Sequence, residues 1–409
     1  MTPLPVIELD THPDITAALL TCIAAGYKHL IIRTPEEDIG RVKSLVTNTL
    51  SALTAPLTQR IRAKEHHTPL SFLRNILISP GHNPEHSFVS IQGHTKPHSP
   101  VRSKHRAVSP ISSISPSRPS SYPNAQTLEQ VQRHLSPTNQ LRPVSLPPRR
   151  KPSAIRVPNA LIVSHLEVAS RAVQQTLVDA LKSRTIVIDS DADEYADTSI
   201  GIGRWNLPDD FLLVYVHSGG RNDRERSPVI KPLIDVFGYS MTVIVTDQDL
   251  GMHGSQHSVL SREAILNMLK TTKDMRLPLP LQVYIASLIS AARHHHQLDG
   301  TFLTLRAQRD FEALLKASAT VARMLPAHRP YTDTDYGPTA VDAAKLFMRV
   351  VTHRLRVRNG PHDEILSPLL WDEEDKRGTR SLPSLGLEHI EYSRRSICDI
   401  IIEDILTAV

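Results

Sequence analysis

Two polar residues, Ser164 and His165, directly follow the apolar run ALIV within NALIVSHLEVASRAVQQTLVDALKSRTIVID, residues 159–189. A short apolar run of this kind is typical of a buried strand. If the pair were Asp-Glu, its carboxylates would suit magnesium binding and the activation of a water molecule. A serine hydroxyl is a poor ligand for a hard cation, and a neutral imidazole is softer than magnesium prefers. The pair therefore raises the question of whether this position does chemistry.

The composition is that of a globular protein with one part that does not pack. The 409 residues are 40% hydrophobic and 22% charged, whereas 31 prolines and only 4% aromatic residues indicate an unpacked segment. Two cysteines, Cys22 and Cys398, cannot form a disulfide framework and favour a reducing compartment. We find no secretory signal and no apolar run of the roughly 18 residues that a membrane span needs. We therefore expect a cytoplasmic or nuclear protein.

The segment before residue 79 predicts a layered α/β unit. ITAALLTCIAA has helical spacing, KHLIIR is typical of a short buried strand, and IGRVKSLVTNTLSAL is helical again. TPLSFLRNILI predicts another helix, with Thr68 as its N-cap and Pro69 at its first position.

Residues 80–158 differ in character. The run HTKPHSPVRSKHRAVSPISSISPSRPSSYPN is rich in serine and proline and contains few apolar residues. Such a segment cannot bury enough surface to offset the entropy of ordering it, so we predict a disordered, basic insertion. Its Ser-Pro steps at Ser99, Ser109, Ser115 and Ser136 are candidate phosphorylation sites. Few aromatic residues accompany its charges, so nucleic-acid binding is not expected.

After residue 158 the pattern predicts strands alternating with helices, and from Leu260 onward helices alone. The helical part contains SREAILNMLK, LQVYIASLISAARHHH, RAQRDFEALLKASATVARML and AVDAAKLFMRVVTHRL, and a last helix is predicted near Leu385–Leu406. The predicted organisation is a first α/β part, an insertion, the rest of the α/β domain, a helical domain and a C-terminal tail with a terminal helix, over residues 1–79, 80–158, 159–258, 259–358 and 359–409.

Five elements in this order resemble the magnesium-chelatase/MoxR branch of the AAA+ ATPases. They are Gln174 ten residues after Ser164 with LVDAL behind it, RTIVID, LPDDFLLVYVHS, LIDVF and TLRA, and the resemblance covers residues 159–358. It implies a P-loop-type parallel sheet sandwiched by helices, interrupted by the insertion and followed by an all-α lid domain. It also implies ATP and magnesium as ligands.

The positions that would handle nucleotide in that family have lost its residue types. Ser164 and His165 stand at the magnesium and water positions, Ser218 replaces the polar sensor, and Val236 replaces the arginine offered to a neighbouring subunit. The lid arginine that contacts nucleotide in that family is matched by Arg306, or by Arg309 in another register. The phosphate loop falls on TPEEDIG, and the chain contains no Gly-Lys-Ser/Thr. Three carboxylates suit a helix N-terminus but repel a triphosphate.

Two functions are therefore open. The first is a non-hydrolysing AAA+-family scaffold or regulator of an unknown protein partner, with no cofactor and no metal site. The alternative is an active ATP-dependent enzyme similar to a magnesium-chelatase subunit, which would use ATP and magnesium. Without the intersubunit arginine we expect a monomer or weak homo-oligomer, with no membrane contact.

Overall fold

Helices and strands alternate in the computed structural model of the protein, which describes residues 12–54, 56–78, 155–189, 203–219, 229–245, 260–324, 337–358 and 396–409. The strands in this part of the chain are β1 (His29–Thr34), β2 (Thr58–Arg62), β3 (Ala160–Ser164), β4 (Thr185–Ile188), β5 (Gly203–Asn206), β6 (Leu212–Ser218), β7 (Phe237–Thr242), β8 (Leu298–Asp299) and β9 (Arg356–Val357). The helices are α1 (Pro13–Ala24), α2 (Ile39–Thr54), α3 (Pro69–Ile76), α4 (Arg171–Ser183), α5 (Lys231–Ile234), α6 (Arg262–Asp274), α7 (Leu279–His294), α8 (Leu305–Ala322), α9 (Ala340–Val351) and α10 (Ile397–Ala408).

Five strands form the central sheet in the order β2-β3-β6-β1-β7. All of its pairings are parallel, with Ile162 of β3 opposite Val214 of β6 and Ile32 of β1 opposite Val216. All five residues of β3 are buried, as a near-continuous apolar run in a doubly covered parallel sheet requires. The predicted parallel α/β sheet is therefore confirmed.

Helices cover both faces of this sheet. Leu30 and Ile32 of β1 point to the face covered by α1 and α2, where they share an apolar cluster with Val42 and Val46. Ile31 points to the opposite face and belongs to the cluster formed with α3, α4 and α5. This alternation follows from the period of two along a strand.

Side-chain caps fix where several helices begin. Thr68 caps α3 through a capping box with Ser71, and Pro69 occupies the first turn, as predicted. Ser170 and Ser261 accept a backbone N–H at the starts of α4 and α6.

The helical part has its own core, to which α7, α8, α9 and α10 contribute. Phe311 of α8 and Phe347 of α9 lie at its centre with a ring-centroid distance of 5.8 Å. Helix α8 also packs against α1, and α9 packs against β7, so the bundle is attached along one edge of the sheet. Within the described residues no single helix is long and apolar enough to cross a membrane. Helices α6 and α7, which are bent by 89° relative to each other, together reach the length and composition of such a span.

Several elements differ from the prediction. Strand β2 was not anticipated, because only Ile61 within TQRIR is a buried apolar residue. Strand β4 does not join the parallel sheet but pairs antiparallel with β5. In the last predicted helix, the described residues place α10 at Ile397–Ala408.

Most of the predicted insertion, and the greater part of the C-terminal tail, lie outside the described residues. At the end of the insertion, Arg156 pairs with Ile78 through two backbone hydrogen bonds of 2.9 and 3.2 Å. A regular backbone pairing therefore closes the insertion three residues before Asn159.

Candidate functional site

The carboxyl edge of the sheet contains the crevice in which a ligand of this fold class would bind. The chain leaves β1 into α2 on one face of the sheet, whereas α5, the next described helix after β6, lies on the other face. Strands β1 and β6 are direct neighbours. Adjacent strands that lead to opposite faces leave a crevice beyond their carboxyl ends, and ligands of open α/β sheets bind there. Thr34, Ser164 and Ser218 end the three central strands at this edge.

An acidic turn follows β1 at the place where a phosphate loop would lie. Residues Glu36–Asp38 form one 3-10 turn after Pro35, and α2 begins at Ile39. Asp38 is buried and pairs with Arg41 at 3.3 Å. The helix start is thus supplied with the protein's own carboxylates, which leaves no positive terminus for a phosphate.

Lys43 is the cation that the sequence analysis overlooked. It lies in the second turn of α2, and its Nζ donates to the Oγ of Ser164 at 3.2 Å. Burial, together with the nearby guanidinium groups of Arg60 and Arg62, lowers the pKa of Lys43. The sequence signal for this lysine is the Lys43-Ser44 pair in GRVKS. It does not form a Gly-Lys-Ser/Thr motif, because two residues separate the glycine from the lysine.

His165 adopts a left-handed backbone conformation with φ of 59° and ψ of 35°. This region is costly for a residue with a Cβ, and such strain is found at functional sites. The conformation turns the chain so that His165 lies between two carboxylates. Its Nε2 is 3.8 Å from Glu36 Oε1 and its Nδ1 is 3.5 Å from Glu167 Oε1.

Glu167 is separated from His165 by one residue in the sequence. A 3-10 turn over Leu166–Val168 follows His165 and places the Glu167 carboxylate against the His165 ring. The Oε2 of Glu167 also accepts from the hydroxyl of Tyr215 at 2.5 Å. A series of side-chain contacts therefore connects the loop after β1 with the turn after β3, and that turn with β6.

Ser218 and its neighbours complete the edge. The N–H of Gly219 donates to the carbonyl of Thr34 at 2.7 Å, which ties the ends of β6 and β1 together. Thr34 is fully buried, and its Oγ1 has no hydrogen-bond partner in the part of the chain that the structure describes. The ring of His217 stacks on that of Tyr215 with a centroid distance of 5.0 Å.

Gln174, which carried part of the sequence resemblance, is buried beneath this edge. Its amide nitrogen donates to the carbonyls of Leu166 and Ala169 at 3.0 and 3.1 Å, and its Oε1 accepts from Ile230 N at 2.8 Å. This side chain holds the turn after β3 against the segment that enters α5.

Two of the predicted site residues lie elsewhere. Val236 is buried between α5 and β7, where its N–H donates to Leu233 O. Arg306 lies 3.8 Å from Asp310, which also binds Lys28, the residue just before β1. Both positions are near the amino ends of the parallel strands, so the structure does not bring Val236 or Arg306 to the edge that holds Ser164, His165 and Ser218.

Magnesium does not fit the groups present at this edge. The hydroxyl of Ser164 already accepts from an ammonium group, and a second cation at that position would be repelled by Lys43. Glu36 and Glu167 both lie against His165, a residue type that magnesium does not favour. Over the described ranges, no three His, Cys, Asp or Glu side chains are grouped so as to hold a metal ion.

Comparisons with known proteins place the fold. No family model and no curated protein matches this chain. Among 165 matching chains of solved structures is one described as a "putative ATPase" from Cytophaga hutchinsonii, with a TM-score of 0.52 and 14% identity. The match covers 97% of this chain and 89% of that one. The similarity at this identity concerns the fold alone, a parallel α/β sheet covered by helices.

Proposed function

We propose that this chain is a magnesium-chelatase/MoxR-like AAA+ protein that does not hydrolyse ATP and instead acts as a scaffold or regulator of a protein partner. The observation that carries the proposal is the acidic turn Glu36–Asp38 in the place of a phosphate loop, with Lys43 directed to Ser164. Phosphoryl transfer depends on positioned cations that neutralise the developing charge. Here the turn in the place of the phosphate loop consists of Glu36, Glu37 and Asp38.

The contacts at the edge support a structural role for these residues. Lys43 joins α2 to β3, and His165 links the loop after β1 to the turn after β3. Tyr215 extends the chain of contacts to β6 through Glu167. Polar groups that would bind substrate in an active enzyme thus contact one another.

One observation favours the alternative of an active ATPase that uses ATP and magnesium. Lys43 lies on the helix after β1 and reaches the end of β3, so its ammonium is within the crevice. If it were released from Ser164, it could contact a phosphate. In that enzyme the acidic turn would have to move away before nucleotide entered.

Equilibrium binding of a fluorescent ATP analogue to the full chain tests the proposal. We expect no binding by the natural sequence at millimolar analogue. The variant with both Glu36→Gln and Glu37→Gln removes two like charges and should bind more tightly than the natural chain. Glu263→Gln, an exposed residue in the first turn of α6, is the matched control. Micromolar binding by the natural chain, lost in Lys43→Met and kept in Glu263→Gln, would favour the active enzyme.

The assembly state follows from the same reasoning. With no nucleotide between subunits, and with Val236 buried, we expect a monomer or weak homo-oligomer. Sedimentation velocity with and without ATP and magnesium measures this directly. A ring that forms only with nucleotide would contradict both the assembly state and the proposed lack of a working site.

A further inference from the structure

A second cavity lies along the outer edge of β7. It has a volume of about 620 Å³ and is bordered by four consecutive strand residues, Tyr239 to Thr242, with α9 opposite and Ser318 of α8 at one side. Strand β7 is an edge of the sheet, so its outer backbone faces this cleft. The volume is in the range of small-molecule sites.

Three cationic side chains line the cleft. Arg33 enters from β1, and Lys345 and Arg349 come from successive turns of α9. In the described part of the chain none of the three side chains forms a hydrogen bond or ion pair, and the Nε of Arg33 is buried. A buried guanidinium nitrogen without an acceptor is costly, so an acceptor from a ligand would be favoured there.

The two carboxylates that line the cleft, Asp342 and Asp399, form capping hydrogen bonds at helix N-termini. Asp342 accepts from Thr339 N and Oγ1 at 2.9 and 2.8 Å, as part of the capping box of α9. Asp399 takes the same role with Ser396 at the start of α10. Both side chains serve helix N-termini, where negative charge is already stabilised.

The remaining wall combines apolar surface with hydroxyl groups. Met241, Leu346 and Met348 supply the apolar part. Tyr239 supplies a phenol whose pKa burial raises to about 12, so its hydroxyl remains a hydrogen-bond donor at neutral pH. A few convergent polar groups on an apolar wall are typical of sites for small organic ligands.

We infer that this cleft binds a small organic anion, with a phosphate or carboxylate on the three cations and an apolar body against the methionine and leucine side chains. Arg33 pairs in register with Thr242 on one side and with His217 on the other. Arg33 is the penultimate residue of β1, so a ligand held by it would lie close to the carboxyl edge of the sheet. The inference does not depend on whether the chain binds or hydrolyses ATP.

Isothermal titration of the full chain with phenyl phosphate, benzoate and benzyl alcohol tests the site without any nucleotide. We expect phenyl phosphate, benzoate or both to bind, and the neutral alcohol not to bind. The difference between the first two shows which anionic group the cleft prefers. Because each lost cation removes a charge-assisted hydrogen bond, Lys345→Gln and Arg349→Gln should each weaken binding about tenfold.

Lys273→Gln is the matched control, since Lys273 is an exposed lysine of α6 that does not line the cleft. Both Lys345 and Arg349 are exposed, so their variants should fold normally. Failure of both anions to bind at millimolar concentration would overturn the inference. Equal affinity in Arg349→Gln, Lys345→Gln and Lys273→Gln would overturn it as well, because the anion would then bind elsewhere.

Discussion

The carboxylate of Asp310 should be the main polar link between the helical bundle and the sheet. It lies on α8 with a side chain that is 2% exposed, and it binds Arg354 at 3.1 Å and Lys28 at 2.7 Å. The Arg354 side chain is 0% exposed and also donates to the carbonyl of Phe237, at the start of β7, at 2.8 Å. Replacement of Asp310 by Asn therefore leaves a buried guanidinium without its counter-charge.

The magnitude follows from the burial of each partner. Loss of one member of a buried ion pair costs about 3–5 kcal/mol. Asp310→Asn should be near the lower end, about 3 kcal/mol, because the carbonyl acceptors of Arg354 remain. Lys28→Met should cost about 1 kcal/mol or less, since the Lys28 side chain is 29% exposed and its charge stays solvated.

Urea unfolding followed by far-UV circular dichroism gives the free energy of unfolding for each variant. The expected order of destabilisation is Asp310→Asn and Arg354→Met first, with Lys28→Met well below both. In the double variant of Asp310 and Arg354, the loss should fall short of the sum of the single losses by about 1 kcal/mol or more. An Asp310→Asn loss below that of Lys28→Met, or strictly additive losses, would refute the assignment.

Two further predictions concern buried or strained histidines. Burial, with the nearby cations Arg306, Lys28 and Arg184, lowers the pKa of His29 from 6.5 to about 3, so the folded chain keeps it neutral while the unfolded chain protonates it below pH 6.5. The free energy of unfolding should therefore fall as the pH drops from 6.5 toward 3. In urea titrations between pH 7 and pH 5, the His29→Gln variant should lose about 2 kcal/mol less of this free energy than the natural chain. The same pH dependence in both proteins would contradict this. His165→Val should reduce the free energy of unfolding by about 1–2 kcal/mol through its left-handed backbone, whereas His165→Gly, which loses only the side-chain contacts, should cost less. Equal losses for Val and Gly in thermal unfolding would show that the side chain, and not the backbone conformation, matters at this position.

Local patterns in the sequence were sufficient for elements that depend on local physics. The helix α3 was predicted with its cap because Thr68 and Pro69 act within one turn. The strand β3 was predicted because ALIV is apolar throughout, and the sheet buries both of its faces. The parallel α/β architecture followed from the alternation of such elements.

Features decided by distant residues were not predictable in this way. Strand β2 has one buried apolar residue, so its pairing with β3 is set by the sheet and not by its own composition. The contact of Lys43 with Ser164 joins residues 121 positions apart. The position of Glu167 depended on the left-handed turn at His165, which residue spacing does not reveal. The match of Arg306 to a lid motif likewise gave no information on which end of the sheet it would face.

Phosphate release by the purified full chain with ATP and magnesium is the most direct test of the proposed loss of hydrolysis. We expect no phosphate release above background from the natural chain, and the same result for Lys43→Met and His165→Ala. Lys270→Met, on the exposed face of α6, serves as the control. The proposed loss of hydrolysis would be contradicted if the natural chain and Lys270→Met released phosphate while Lys43→Met or His165→Ala did not. That result would identify the edge of Ser164 and His165 as a working ATPase site.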